Sequence, residues 1–471
     1  MSGSLLKRVA VDRRPLAYPD FRRLWLGQGV SFVGYQVTTV AVPLQIYAIT
    51  KSSLWVGFIG FASLVPLVVF GLWGGAIADV MERRKLVLIA SMVTWAATWG
   101  LLLQAIVHAN SAILLLCLIA VQSAGFAVSG PTRGAIIPRL VPLELVAPAN
   151  AVNFVVQNVG TIAGPLLGAV VVDKVGYFGA YGLDLALFTA SLYASYRLPR
   201  IPPIPQAVGA PQLTEAAGAD LAGAEVGRAE LAGGVPVGTG SSTQPRPRSR
   251  AGFRSVAEGV AFISRRPVLW MSFVVDLIAM SFAMPRALFP AVAHERFGGA
   301  AAVGWLYAAI AIGAVVGGLS SGWLGHVRRQ GVTMVVGIVG WGVFVALAGL
   351  SHLLWLTVVL LALAGAGDLV STVCRQTIVQ TSVPDELRGR LQGVYTVVVV
   401  GGPRLGDVRA GAVAAVAGTS VAWVSGGVAC VVGLLVVVVL VPSFVGYVRP
   451  PLDQGALDQA APDQAAPGAP D

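Results

Sequence analysis

Apolar residues occur in long runs along almost the whole chain, and short polar and basic stretches separate the runs. An α-helix needs roughly 20 apolar residues to cross the roughly 30 Å hydrocarbon core of a bilayer. The pattern therefore predicts an all-α integral membrane protein with twelve transmembrane helices, numbered here as spans 1 to 12 in chain order. Their predicted limits are 22–48, 54–79, 86–107, 112–137, 148–172, 178–197, 268–293, 302–326, 332–351, 353–380, 391–417 and 419–441.

The basic residues divide unevenly between the two sides of the predicted membrane. Outside the spans, only Lys51, Lys174 and Arg296 fall on one side, and the remaining Lys and Arg residues fall on the other side or at the helix ends that face it. Loops rich in Lys and Arg stay in the cytoplasm. We therefore expect a multi-pass protein of the cell (plasma) membrane with both termini cytoplasmic.

Two segments lack the apolar pattern. Residues 199–266 are rich in Pro, Ala and Gly and predict a flexible cytoplasmic linker. Residues 447–471 predict a disordered cytoplasmic tail. The rest divides into a cytoplasmic N-terminal segment at 1–21, an N-terminal six-helix bundle at 22–198 and a C-terminal six-helix bundle at 267–446.

The two predicted bundles share sequence features in the same order. Adding 247 to the numbers of four residues of span 2 gives identical residues in span 8: Val56, Gly57, Gly71 and Gly75 become Val303, Gly304, Gly318 and Gly322. Adding 242 to Arg133, Val141, Pro142, Glu144 and Leu145 gives Arg375, Val383, Pro384, Glu386 and Leu387. This duplication predicts two pseudo-symmetric halves, an arrangement in which transporters bind substrate at the interface of the repeats.

Composition excludes several classes of protein. Hydrophobic residues make up 56% of the chain and charged residues 11%, whereas soluble domains carry roughly 25% charged residues. The basic residues behind the net charge of +10 lie between and beside the spans. This distribution is typical of membrane topology and predicts no nucleic-acid partner. No Lys follows a Gly, so no phosphate-binding loop of a pump is present. The His residues are dispersed, which predicts no metal, no cofactor and no enzyme activity.

A family resemblance starts from the segment 71–85, which reads GLWGGAIADVMERRK. It resembles the signature G-x-L-A-D-R-x-G-R-R/K that the major facilitator superfamily carries between spans 2 and 3, with Val80 in place of the Arg and Glu82 in place of the Gly. Nearly the whole chain except the linker and tail is similar to the proton-linked multidrug and siderophore exporters of that superfamily, including actinobacterial members. The resemblance implies the major facilitator fold and secondary active transport.

The signature segment also suggests a conformational switch at the cytoplasmic ends of spans 2 to 4. A carboxylate one turn from a basic cluster can hold one transporter state until the contact breaks. The switch residues that the resemblance implies are Gly75, Asp79, Arg83, Arg84 and Arg133. The alternative is an ordinary positive-inside anchor with a solvated ion pair.

Span 5 contains a second motif, formed by Gly164, Pro165 and Gly168. It is similar to the G-P-x-x-G pattern of antiporters, and helix packing by small residues explains it equally well. The segments PRALFP at 285–290 and GPRLGD at 402–407 resemble actinobacterial members of the exporter group.

Span 1 carries a polar stripe. Its members are spaced three, four and three residues apart, so they share one face of an otherwise apolar helix. They are Gln28, Ser31, Tyr35 and Thr38. We expect the stripe to line a substrate cavity, with hydrogen bonding between helices as the alternative.

Span 7 is expected to be discontinuous because Pro285 and Pro290 flank Arg286. Broken helices are where transporters tend to form binding sites. Arg286 is therefore a further candidate for the substrate cavity, where it attracts an anionic substrate. The alternative is that its side chain extends to the outer surface.

Charged residues inside spans are costly and are candidates for function. The candidates for proton coupling are Asp276, Asp368 and Asp407 with Arg404. Arg404 and Asp407 share a helix face, so Asp407 is either a proton carrier or a permanently ionised partner. Asp276 has no basic residue within one turn, so it either changes its protonation or is held by hydrogen bonds to span 7 itself. Asp368 has no partner that the sequence identifies, and Asp184 near the outer surface is expected to be structural.

These features together predict a proton-coupled exporter of an amphipathic small molecule, such as a drug or siderophore, that works by alternating access. Its expected partners are the small-molecule substrate, protons and the lipid bilayer, and a monomer is favoured. An uncoupled facilitator or importer of the same fold is the first alternative. A transport-inactive membrane scaffold or receptor is the second.

Overall fold

The computed structural model describes residues 12–198, 264, 266–382 and 385–446. Most of the predicted linker and the whole predicted tail lie outside the described residues. The helices of spans 1 to 6 are Pro19–Thr50, Ser53–Val80, Arg83–Ile106, Ala112–Ile136, Val146–Val175 and Tyr177–Tyr196. Span 7 consists of Pro267–Ala283 and Phe289–Arg296, and spans 8 to 12 are Ala300–Leu319, Gln330–Leu350, Leu354–Ser382, Asp385–Ala417 and Thr419–Leu440.

The twelve predicted spans are therefore present as helices, and the described residues contain no strand. Ten of the spans are long and apolar enough to cross a membrane by length and composition, and spans 6 and 11 complete the two sets of six. The all-α fold class and the two pseudo-symmetric halves predicted above are confirmed.

Short connections make successive spans run in opposite directions. We call the end of the bundle with Pro19 and Leu440 the terminal end, and the opposite end, with Thr50, the distal end. Polar contacts fasten the distal end of the second half. The guanidinium of Arg296 donates to Gly349 O at 2.8 Å and to Ser420 Oγ at 2.5 Å, which joins spans 7, 9 and 12.

Span 8 ends earlier than predicted. The expected helix ran to residue 326, but the α-helix ends at Leu319 and a 3₁₀ helix follows at Ser321–His326. The reason is local chemistry. Ser320 Oγ donates to Gly317 O at 3.1 Å and Ser321 Oγ donates to Gly318 O at 2.6 Å, so hydroxyl groups bind carbonyls of the last helical turn.

Two seams join the halves: span 2 packs against span 11, and span 8 packs against span 5. Glycines allow the close approach. A Cβ atom on Gly60 would lie 2.8 Å from Arg404 O, and one on Gly304 would lie 2.8 Å from Pro165 O. Gly57, the repeat partner of Gly304, meets the backbone of Asp407 in the same way. The duplicated glycines therefore form equivalent seams.

The apolar cores of the two halves differ. The second half has one continuous buried cluster that includes Trp341 and Trp423. The first half has two separate clusters, one around Leu101 and Tyr181 and another around Phe21 at the terminal end. The interior between those two clusters holds polar residues and a cavity.

Candidate functional site: two neighbouring cavities

A central cavity of about 280 Å³ lies between the two halves. Spans 1, 2, 4, 7, 8 and 11 contribute to its wall. Its polar and charged lining includes Tyr35, Thr38, Ser63, Gln122, Arg286, Tyr307, Arg404 and Asp407. A cavity at this interface is where the duplicated sequence places a substrate site.

Arg404 and Asp407 both line this cavity but do not form the expected ion pair. Arg404 Nε donates to Ser63 Oγ of span 2 at 2.8 Å, and its Nη1 donates to Val400 O at 3.0 Å. Asp407 Oδ1 instead accepts a hydrogen bond from the Ala287 backbone N–H of span 7 at 3.2 Å. A shared helix face puts the two groups in one cavity, but each side chain finds a different neighbouring helix.

Span 7 is broken as predicted. Its helix ends at Ala283, a 3₁₀ turn covers Arg286–Leu288, and a second helix begins at Phe289. The break frees backbone N–H groups, and Asp407 accepts one of them, that of Ala287. Arg286 lies at the break and lines the cavity. Its guanidinium has no hydrogen bond or ion pair with any residue of the described chain, which leaves it available to a ligand.

A second cavity of about 240 Å³ lies inside the first half. The polar stripe of span 1 runs along both cavities: Gln28 and Ser31 line the second, Thr38 lines the central one, and Tyr35 lines both. The Tyr35 ring stacks on Phe126, with ring centroids 5.1 Å apart and planes 9° apart. This aromatic pair stands where the two cavities meet.

Asp276 forms an ion pair with Arg375 of span 10, and the side chains of both residues are 2% exposed. Neither residue lines either cavity. Neither of the two alternatives expected for Asp276, a change of protonation or hydrogen bonding to its own helix, includes this partner. The hydroxyl of Ser272 donates to Leu269 O instead.

Asp368 lines neither cavity, and its carboxylate forms no hydrogen bond or ion pair with the residues that the structure describes. The proposed switch is only partly visible. The surroundings of Gly75 and the side chain of Asp79 lie outside the described part of the chain. Arg84 Nη2 donates to Tyr196 O at 2.6 Å, and Arg133 Nη2 donates to Ser91 Oγ at 3.1 Å.

The G-P-x-x-G motif of span 5 recurs in span 11, which the sequence analysis did not detect. Adding 238 to Gly164, Pro165, Leu167 and Gly168 gives Gly402, Pro403, Leu405 and Gly406. Leu167 is 47% exposed and Leu405 is 48% exposed, so both copies present the same face to the outside. The first copy packs on span 1 and the second on span 7.

The two copies differ at the cavity. The motif alignment sets Arg404 and Asp407 against Leu166 and Ala169 of the first half. The seams give an alignment one helical turn away, because Gly57 meets Asp407 O as its repeat partner Gly304 meets Pro165 O, and Arg404 and Asp407 then match Ile162 and Pro165. Span 5 has no charge at either set of positions, so packing of the seam does not explain the two charges of span 11.

Sequence reasoning missed several residues of these cavities. Ser63 and Tyr307 are single polar residues in apolar runs, and only the cavity shows their importance. The partner of Asp276 had a signal, because Arg375 is the repeat of Arg133 and both are buried. The position of Asp184 near one end of its span predicts a structural residue, and only the packed structure shows that it lines the second cavity.

Twelve spans in two pseudo-symmetric halves, with a charged cavity between them, define a polytopic membrane transporter. Solved structures agree at the level of the fold. A variant of the nucleoside transporter NupG matches with a TM-score of 0.67 and 11% identity over 89% of this chain and 99% of that one. A bacterial homologue of the human lysosomal transporter Spinster, inward-facing, matches with a TM-score of 0.64 and 15% identity over 92% and 97% of the chains.

The chain belongs to the major facilitator superfamily. Residues 12–224 match the family model described as transmembrane secretion effector, and residues 271–461 match that of the superfamily itself. The chain is 31% identical to the enterobactin exporter EntS of Citrobacter koseri, over 93% of this chain and 96% of that protein. An EntS from an Escherichia coli strain is also 31% identical, over 90% and 92%. These families are membrane transporters and not enzymes.

Proposed function

We propose that the protein is a proton-coupled exporter of an amphipathic small molecule, such as a drug or siderophore, and that it works as an antiporter by alternating access. The observation that carries this proposal is the central cavity, which Arg286, Arg404 and Asp407 all line. Arg404 and Asp407 form hydrogen bonds with other residues and not with each other. Charged groups at this depth are costly, so their presence in one copy of a duplicated motif supports a role in transport.

The carboxylate of Asp407 is the candidate proton carrier. It holds the Ala287 N–H at the break of span 7, and an ionised acceptor makes a stronger hydrogen bond than a neutral one. Proton uptake would weaken this contact and leave Arg286 and Arg404 as the charges of the cavity. Protonation would thus change both the span 7 contact and the affinity for an anionic group.

Arg286 is the candidate substrate contact, together with the polar stripe of span 1. Its free guanidinium would bind an acidic group of the substrate, while the apolar wall accommodates the rest. The relatives named enterobactin exporters support an exported siderophore. We place both termini in the cytoplasm of a monomer in the cell membrane, on the distribution of Lys and Arg.

An uncoupled facilitator of the same fold is the second candidate. The observation that favours it is the ion pair between Asp276 and Arg375, which gives this carboxylate a structural role that needs no proton exchange.

The test uses the full chain in liposomes with an acidic lumen, with enterobactin and the dye ethidium as compounds and pyranine as the lumenal pH probe. Wild type is expected to accumulate a compound as lumenal protons leave. Asp407→Asn should lose this gradient response by at least about tenfold, and Arg286→Gln should weaken uptake of enterobactin more than that of ethidium. Asp173→Asn is the matched control, because Asp173 is exposed and pairs with Lys174 at 3.2 Å.

Uptake that ignores the pH gradient would favour the facilitator. Equal behaviour of Asp407→Asn and Asp173→Asn would remove Asp407 from the mechanism. Movement of neither compound by wild type would favour a scaffold or receptor.

A further inference from the structure

We propose that Asp184 of span 6 is a second proton-binding group of the transport cycle, exchanging its proton through the cavity inside the first half. The inference rests on the proposed proton coupling. The other candidates for proton coupling lie in spans 7, 10 and 11 of the second half, and Asp184 adds a site in the first half.

The position of Asp184 is fully buried and close to span 1. Its side chain is 0% exposed, and Oδ2 accepts a hydrogen bond from Thr38 Oγ1 at 2.6 Å. Gly34 makes room for it, since a Cβ atom there would lie 2.6 Å from Oδ1. Oδ1 itself has no hydrogen-bond partner among the described residues, although Asp184 lines the second cavity.

Within the described part of the chain, no cation forms an ion pair with this carboxylate. Of the charged or titratable residues, Tyr35 of span 1 and Arg133 of span 4 line the same cavity, and Arg133 donates to Ser91 and forms no ion pair with Asp184. Tyr181, on the same helix as Asp184, donates its hydroxyl to Gln45 at 2.6 Å. Spans 3 and 5 present the uncharged side chains of Thr94 and Gln157 to the cavity.

A buried carboxylate without a counter-charge is costly when ionised, and binding a proton removes that cost. A purely structural link between spans 1 and 6 would need one acceptor for Thr38, and a neutral side chain can supply it. Asp184 keeps a second, unpaired oxygen beside a polar cavity instead. That arrangement fits a group that gains and loses a proton.

The second half shows that the fold does not require an acid here. Spans 6 and 12 begin directly after Gly176 and Gly418, whose φ angles are 85° and 86°. These glycines are 242 residues apart, which makes Gly426 the counterpart of Asp184. A Cβ atom on Gly426 would lie 2.6 Å from the Arg409 guanidinium, so a cation occupies the space beside this position.

Asp184 also has a route to the substrate site. Tyr35 and Gln122 line both cavities, and Thr38, the partner of Asp184, lines the central one. An ionised Asp184 holds the Thr38 hydroxyl as a donor. A protonated Asp184 can donate to Thr38 and release that hydroxyl toward the central cavity. The proton is taken from solvent and returned to solvent, so the exchange is balanced.

The first test needs no transported compound. Infrared difference spectra of the purified full-length protein between about pH 6 and about pH 9, a range in which exposed carboxylic acids stay ionised, should contain the carbonyl band of a protonated carboxylic acid. Asp184→Asn should lose a component of this band, and Thr38→Val should shift it because the hydrogen bond is gone. Asp173→Asn should match wild type. Spectra of Asp184→Asn that equal those of wild type would overturn the inference.

The second test distinguishes a role of Asp184 in proton coupling from a purely structural role. In the liposome assay above, Asp184→Asn should reduce gradient-driven uptake of enterobactin by at least about tenfold, while gradient-free exchange of labelled for unlabelled enterobactin falls far less. An equal fall of both activities, with a lowered melting temperature, would show a structural role and overturn the inference. If wild type responds to the gradient and Asp184→Asn responds equally, this inference alone is overturned. A wild type that ignores the gradient would overturn the proposed coupling and this inference with it.

Discussion

The charged side chains inside the spans differ in their surroundings. Asp276 and Arg375 neutralise each other in a closed interior. Arg286, Arg404 and Asp407 face a cavity between the halves. A paired, enclosed charge contributes to the integrity of one half, whereas a charge facing a cavity can respond to a ligand or a proton.

The buried pair in the second half leads to a stability prediction. Asp276→Asn removes the carboxylate that pairs with Arg375 in a buried site, and breaking such a pair costs about 3 to 5 kcal/mol of the free energy of unfolding. We expect a large drop in the melting temperature of the detergent-purified protein. Arg375→Gln combined with Asp276→Asn should recover part of it.

Asp368→Asn is the control for this prediction, because its carboxylate has no hydrogen bond or ion pair within the described chain. It should change the free energy of unfolding by less than about 1 kcal/mol. Equal losses for Asp276→Asn and Asp368→Asn would contradict the importance of the pair.

At the scale of the helices, the two seams depend on residues without side chains. Span 8 approaches span 5 at Gly304, where a Cβ atom would meet Ala169 Cβ at 2.7 Å and Pro165 O at 2.8 Å. Backbone atoms cannot move aside as a flexible side chain can. The seam therefore sets the distance between the halves.

Gly304→Val is expected to separate this seam and to cost about 1 to 3 kcal/mol of the free energy of unfolding, the usual range for overpacking. Thermal unfolding measures the effect. Gly71→Val is the matched control, because a Cβ atom on Gly71 meets nothing within 4 Å. A melting temperature lowered equally by both substitutions would show that the contact at Gly304 is not what matters.

The limits of the helices were largely predictable from the sequence, whereas the partners of the charged side chains were not. Apolar run length fixed most limits of the spans, and the two prolines fixed the break in span 7, because both are local properties of the chain. The end of span 8 depended on the hydroxyl groups of Ser320 and Ser321. The partners of Arg404 and Asp276 lie on other helices, and spacing within one helix contains no information about that register.

The cavities show the same division between local and distant information. The stripe on span 1 indicated a polar face, and the structure shows that this face extends past one cavity into another. The separation of the first half into two apolar clusters arises from the packing of six helices together. No window of the sequence reveals it.

At the scale of the whole molecule, the proposed orientation in the membrane leads to a labelling prediction. Leu143 lies between spans 4 and 5 at the terminal end and is 83% exposed, and Leu353 lies between spans 9 and 10 at the distal end and is 53% exposed. With both termini cytoplasmic, a membrane-impermeant maleimide should label Leu353→Cys in intact cells and Leu143→Cys only after permeabilisation.

The two variants form a matched pair in a background in which Cys117, Cys374 and Cys430 are replaced by Ala. Both place one thiol in an exposed connection and differ in the side of the membrane. The opposite labelling pattern would invert the topology and the direction of transport inferred from it.

The difference between the two seams has a practical consequence for protein engineering. Span 5 forms its seam with uncharged side chains at the positions that Arg404 and Asp407 occupy in span 11. The backbone contacts of Gly57 and Gly60 with span 11 therefore do not depend on the two charges. Libraries of substitutions at residues 404 and 407 can be screened for activity without redesign of the junction between the halves.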